Sequence, residues 1–116
     1  MRHKQKKSTL GRTKAPREAL MRSLAESLIL HGNIKTTLAK AKALRTFIEP
    51  LVTKARKGDL TAQRAVRKVL YTDDAINKLM KEVGPQYVGR DGGYTRIIKI
   101  GARSNDAAEM ARIEFV

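Results

Sequence analysis

The chain predicts an α+β fold: a small, about three-stranded mixed sheet packed against several helices, behind an extended basic arm. Three observations carry this. Apolar residues recur at helical spacing through residues 16–83, the rhythm turns extended after Gly84-Pro85, and unopposed cations precede the first periodic segment. The organisation expected is an arm over residues 1–15 and one globular domain over 16–116, since 116 residues suit a single modest core.

The arm reads MRHKQKKSTLGRTKA. It carries Arg2, Lys4, Lys6, Lys7, Arg12 and Lys14 with no acid, and Leu10 is its only bulky apolar residue after Met1. Such a segment cannot bury enough surface to offset its ordering entropy, so it is expected to be disordered until a polyanion neutralises it.

Pro16 suits the first turn of a helix, where a missing N–H costs nothing. Leu20, Leu24 and Leu28, with Met21, Ala25 and Ile29 beside them, predict a helix over residues 16–30 that Gly32 stops. The β-branched run Ile34-Lys35-Thr36-Thr37 predicts a strand, and Thr37 can cap the next helix. Ala41, Leu44, Ile48, Leu51, Val52 and Ala55 predict that helix over 38–57, which Pro50 should kink or split. Lys40, Lys42 and Arg45 lie in its first half. Lys54, Arg56 and Lys57 in its last turns complement the helix dipole, a purely structural reading.

Gly58-Asp59 is a stop and a cap for a short third helix marked by Leu60, Val66, Val69 and Leu70. Thr72-Asp73-Asp74 opens a fourth, with Ile76, Leu79, Met80 and Val83 as its apolar positions and Gly84-Pro85 as its end. Residues 89–93 form a turn cluster and residues 94–100 a strand. Residues 101–106 are a loop, residues 107–109 one helical turn, and residues 110–116 a second strand that alternates Ala111, Ile113 and Phe115 against Arg112 and Glu114.

Charge narrows the function. The chain has 25 Lys+Arg against 11 Asp+Glu, a formal +14, and all of that excess lies in residues 1–72, where the acids are only Glu18, Glu26, Glu49 and Asp59; residues 73–116 hold seven of each sign. Such asymmetry points to a polyanion. Aromatics are only 4% of residues, few for a reader of single strands by stacking, which favours folded, backbone-presenting nucleic acid. There is no cysteine, no apolar run of the roughly 20 residues that a bilayer requires, and no apolar segment behind the charged N-terminus; a cytoplasmic protein is the default expectation. The basic tip also lacks the bulky apolar face of an interfacial helix, so no membrane partner is expected.

Catalysis finds little support. His3 lies in the arm, where a base cannot be held in place, and His31 lies at a predicted helix end, where a cation favours the dipole. Asp73-Asp74 reads as a cap before it reads as a metal ligand pair, and no HExxH, GxSxG or P-loop pattern occurs. No enzyme, metal, cofactor or small-molecule substrate is expected. Gly92-Gly93, between Arg90 and Arg96, has two even readings: a phosphate-binding pair of backbone amides, or a tight turn into a strand. An architectural DNA-binding protein shares the charge argument, but no exposed apolar wedge stands out for bending a groove.

Four segments occur in order: the opening MRH, IKTTLAKAKALR over residues 34–45, GGYTRIIKIG over 92–101, and the ending ARIEFV. Together with Glu49-Pro50-Leu51 and Gly84-Pro85, they make the chain resemble the bacterial large-subunit ribosomal protein L-seventeen family over essentially its whole length. The stretches Thr13-Lys14-Ala15-Pro16 and Ser104-Asn105-Asp106, with Glu109, depart from the usual pattern. The resemblance implies an α+β structural protein embedded in large-subunit ribosomal RNA, beside neighbouring ribosomal proteins near the nascent-chain exit, and no catalytic role. It implies RNA-facing positions at Arg2, His3, Lys4 and Arg12, then Thr36, Thr37, Lys40 and Lys42, then Gly92, Gly93, Tyr94, Thr95 and Arg96, and so tips the glycine turn towards RNA. Lys6, Lys7, Lys14, Arg17, Arg22, Lys35, Arg45 and Arg90 complete the candidate RNA-binding set on grounds of charge.

Overall fold

The computed structural model describes residues 10, 11 and 13–116. Helix α1 (Lys14–His31) starts two residues ahead of the sequence expectation, because Thr13 is already extended and Pro16 still falls in the first turn, where the N–H it lacks would have had no helical acceptor. The helix buries Met21, Ala25, Leu28 and Ile29. Gly32 ends it in the left-handed region (φ 82°) and donates its N–H to the Leu28 carbonyl at 2.8 Å.

Strand β1 (Asn33–Thr37) runs directly into helix α2 (Leu38–Ala55), and the Thr37 hydroxyl oxygen accepts from the Lys40 N–H at 3.4 Å. Helix α2 buries Ala41, Leu44, Ile48, Leu51, Val52 and Ala55, the periodic set read from the sequence. Each fully buried Leu or Ile here contributes on the order of 1.5–3 kcal/mol. Pro50 neither splits nor ends the helix: it is exposed, as is Thr46, whose carbonyl loses its helical donor, so water can take the vacant acceptor.

Helix α3 (Leu60–Arg67) is capped by Asp59, whose carboxylate accepts from the Ala62 N–H at 2.8 Å. Helix α4 (Asp73–Lys78) does not stop at Gly84-Pro85. It passes through a π-helical turn (Leu79–Val83) into a short α5 (Gly84–Gln86). The glycine serves a close approach instead: a Cβ at Gly84 would sit 2.7 Å from the Ala55 carbonyl oxygen at the end of α2.

Strands β2 (Thr95–Ala102) and β3 (Glu109–Phe115) form a hairpin, and the sheet order is β1-β3-β2. Both pairings are antiparallel, so the expected mixed sheet is an antiparallel one; the short hairpin loop enforces this for β2 and β3. The helical turn expected at residues 107–109 is absent. Ala107 is left-handed (φ 57°), Glu109 already belongs to β3, and the Arg103 N–H closes the loop on the Ala108 carbonyl at 2.8 Å.

The core lies between the helices and one sheet face. Ile113 and Ala111 of the central strand are fully buried there, in one cluster with Ala25, Leu44, Ile48, Val66 and Ile76. Tyr94 is fully buried too, its ring 5.2 Å from that of Tyr87, which in turn lies 6.3 Å from Phe115.

Candidate nucleic-acid interface

Two helices begin against the usual electrostatic preference. A helix N-terminus carries partial positive charge and normally attracts Asp or Glu. Neither α1 nor α2 has an acid in its first turn; α1 opens on Lys14 and Arg17, and α2 on Lys40 followed by Lys42. By contrast, α4 opens conventionally on Asp73 and Asp74. Cations stacked on a positive helix end are unfavourable alone and favourable to a bound phosphate.

The outer face of α2 extends that charge. Lys42, Arg45 and Lys54 are exposed on the helix, as are Thr46 and Pro50, and exposed Lys57 follows in the turn after it. From Lys42 to Lys54 the stripe runs about 18 Å along the helix. None of these four side-chain cations has an ion-pair or hydrogen-bond partner among the described residues, nor have those of Lys14, Arg17, Lys35 and Lys40. Lys54 and Lys57 were absent from the sequence-derived set, because dipole complementarity explained them equally well there. The four-residue repeat of exposed positions Lys42, Thr46, Pro50 and Lys54 is the signal that could have found Lys54.

The outer face of the sheet is cationic as well. Lys35 lies directly across from Arg112, a like-charge pair that is unfavourable without an anion nearby. Glu114 answers part of this charge, with Arg112 at 3.3 Å and Arg96 at 2.6 Å. Arg96 is therefore partly neutralised inside the chain.

The glycine turn is built differently from a phosphate cradle. Gly93 takes a left-handed φ of 64°, and its N–H donates to the Glu49 carboxylate at 3.2 Å. The Thr95 N–H and hydroxyl donate to the same carboxylate at 3.1 and 2.9 Å. An internal anion from α2 thus occupies the seat proposed for phosphate. Thr95 is buried, and Tyr94 is a core residue whose hydroxyl donates to the Arg90 carbonyl at 3.2 Å and lies 3.1 Å from the Thr53 hydroxyl. Both side chains are withdrawn from the surface on which the sequence reading put them. Gly92 and Arg90 remain exposed, with Arg90 folded back so that its Nε donates to the Gly92 carbonyl at 3.2 Å. The Arg90 carbonyl also accepts from the Arg56 guanidinium, which pairs with Asp91 at 3.5 Å.

Thr36 and Thr37 are half-buried, the latter engaged in capping α2. Arg22 is also engaged: its guanidinium lies 4.1 Å from the centroid of the Tyr71 ring. The candidates Arg2, His3, Lys4, Lys6, Lys7 and Arg12, with the expectation that the arm is disordered off RNA, lie outside the described residues.

No group of three or more His, Asp or Glu able to hold a metal occurs among the described residues, and none of their helices is long and apolar enough to cross a membrane. The family model described as Ribosomal protein L17 matches residues 20–116. The chain is 53% identical to the large ribosomal subunit protein bL17 of Campylobacter lari, over all of this chain and 99% of that one. It is equally identical to the bL17 of Gemmatimonas aurantiaca, over all of this chain and 98% of its relative. A family match across five-sixths of the chain and a majority of identical positions from end to end place this protein in the ribosomal protein L17 family.

Proposed function

We propose that this protein is a structural constituent of the bacterial large ribosomal subunit that binds ribosomal RNA and helps the subunit assemble and stay folded for translation. The family is structural, not enzymatic, and works in the cytoplasmic ribosome. The observation that carries the RNA reading is the row of unpartnered cations along α2, continuous with the acid-free helix start and with Lys35. Affinity comes from these Lys and Arg side chains neutralising phosphates and releasing counterions. Specificity comes from shape, since an A-form helix hides its major-groove edges and offers backbone geometry and 2′-hydroxyls to a rigid cationic body.

On this reading residues 1–15 thread between RNA helices, residues 16–116 are the platform, and neighbouring large-subunit proteins near the nascent-chain exit pack beside it. The DNA-architectural alternative gains nothing from the family match. Filter-binding titrations of large-subunit RNA against salt test the proposal. With about eight to ten phosphates engaged, the log–log slope should be near −7 to −9. A slope near −2, or release of the protein from large subunits by a mild salt wash, would overturn it.

A further inference from the structure

Scarce aromatics argued against base stacking, yet one ring is presented for it. Tyr71 is 67% exposed, while Tyr87 and Tyr94 are buried and both phenylalanines are at least partly covered. Tyr71 is also held in place. Its N–H donates to the Glu26 carboxylate of α1 at 2.7 Å, the next N–H, of Thr72, donates to the same oxygen at 2.9 Å, and buried Leu70 anchors the chain just before it. One ring face is backed by the Arg22 guanidinium, one helical turn from Glu26 on α1. The Arg22 Nε is buried without a hydrogen-bond partner among the described residues, and its terminal nitrogens make no hydrogen bond there. A guanidinium with a buried Nε on one face and solvent on the other describe half of a stacking sandwich.

We propose that Tyr71 is a stacking platform for one unpaired nucleobase of the bound RNA, with Arg22 behind the ring and available to the phosphate of the same nucleotide. The inference rests on the RNA-binding reading above and assigns a base contact where that reading supplies only phosphate contacts. A planar base has a π-face to lay on the open side of the ring, and the cation behind strengthens the ring's hold in a partly desolvated site. Lys68, exposed and unpaired three residues earlier, adds positive charge close by in the chain.

The sequence contains no tryptophan, so Tyr71→Trp places a single reporter at the site. The full-length variant is titrated with deproteinised large-subunit ribosomal RNA. Stacking predicts strong quenching of the introduced tryptophan's emission at saturation. Tyr71→Leu should bind the same RNA about five- to a hundredfold more weakly, with an unchanged salt slope, because stacking involves no counterions. Tyr71→Phe should bind like the wild type. Unquenched tryptophan emission with RNA bound, or wild-type affinity in Tyr71→Leu, overturns the platform and leaves the phosphate-binding proposal standing. Failure of the wild type to bind with a steep slope overturns both. Thermal melting of Tyr71→Leu without RNA checks that the lost affinity is not lost folding, and the emission of Tyr71→Trp decides the matter if the leucine variant does not fold.

Discussion

Acids in residues 1–72 and acids in residues 73–116 do different work. In the second stretch, Asp73, Asp91, Asp106 and Glu114 supply every carboxylate found in an ion pair among the described residues. In the first, Glu26, Glu49 and Asp59 accept mainly from backbone N–H groups: those of Tyr71 and Thr72, of Gly93 and Thr95, and of Ala62. The cationic stretch therefore uses its few carboxylates to satisfy amides and join elements, and leaves Lys42, Arg45, Lys54 and Lys57 unneutralised. Net charge alone would not distinguish a basic protein whose cations are internally paired from one whose cations are available. Here the pairing pattern does, and it differs between the two stretches.

The contrast can be broken at its foundation first. Ile113→Asp places a charge in the fully buried centre of the sheet, where no cation can meet it. It should cost several kcal/mol, a large part of a typical domain's about 5–15 kcal/mol, and abolish the cooperative melt. Deleting residues 1–14 should do the opposite, preserving the melt and strongly weakening RNA binding; loss of cooperative melting in that truncation would show the arm to be structural.

Glu49→Ala comes next. It removes the acceptor shared by two amides and a hydroxyl, and should cost about 2–4 kcal/mol. Calorimetry should show a clearly lower Tm, with Glu49→Gln in between. If RNA instead bound more tightly to Glu49→Ala with no loss of stability, the glycine turn would be a phosphate seat after all.

The third test compares cations. Lys42→Ser with Arg45→Ser should flatten the RNA salt slope by about two, since each phosphate-contacting cation contributes about one. Arg96→Ser with Arg112→Ser, both already paired with Glu114, should flatten it by less. Equal losses would remove the distinction between available and neutralised cations.

The smallest effect lies at the hairpin tip. Arg103 hydrogen bonds to Asp106, the Ala108 N–H adds another, and the carboxyl is lowered from 3.8 to about 2. A folded value below the unfolded one means that this contact supports the fold fully above the unfolded value and is lost as pH falls towards about 2. Both side chains are exposed, so the effect on overall stability should be slight. An NMR titration of Asp106 is the direct check, and Arg103→Ala should return it towards the ordinary carboxylate value.

Much of this architecture was legible in one dimension. The stripe of α2 was readable because burial on one side of a helix repeats every 3.6 residues, and Thr37 and Asp59 were readable as caps because a short oxygen-bearing side chain satisfies an orphaned amide locally. Gly84 misled because the same residue serves helix ends and close helix contacts, and the choice depended on Ala55, far away in sequence. The internal partners of Tyr94 and Thr95 were illegible for the same reason: nothing adjacent to them announces that Glu49 and Thr53 would meet them across the fold.

Charge asymmetry, the order of the main helices and strands and the α+β class follow from residue type and local spacing, so the chain alone settled them. Which cations stay available, which amides are already occupied and which aromatic ring faces solvent depend on partners tens of residues apart. Only folding brings those groups within hydrogen-bonding distance, and so only the tertiary structure decided them.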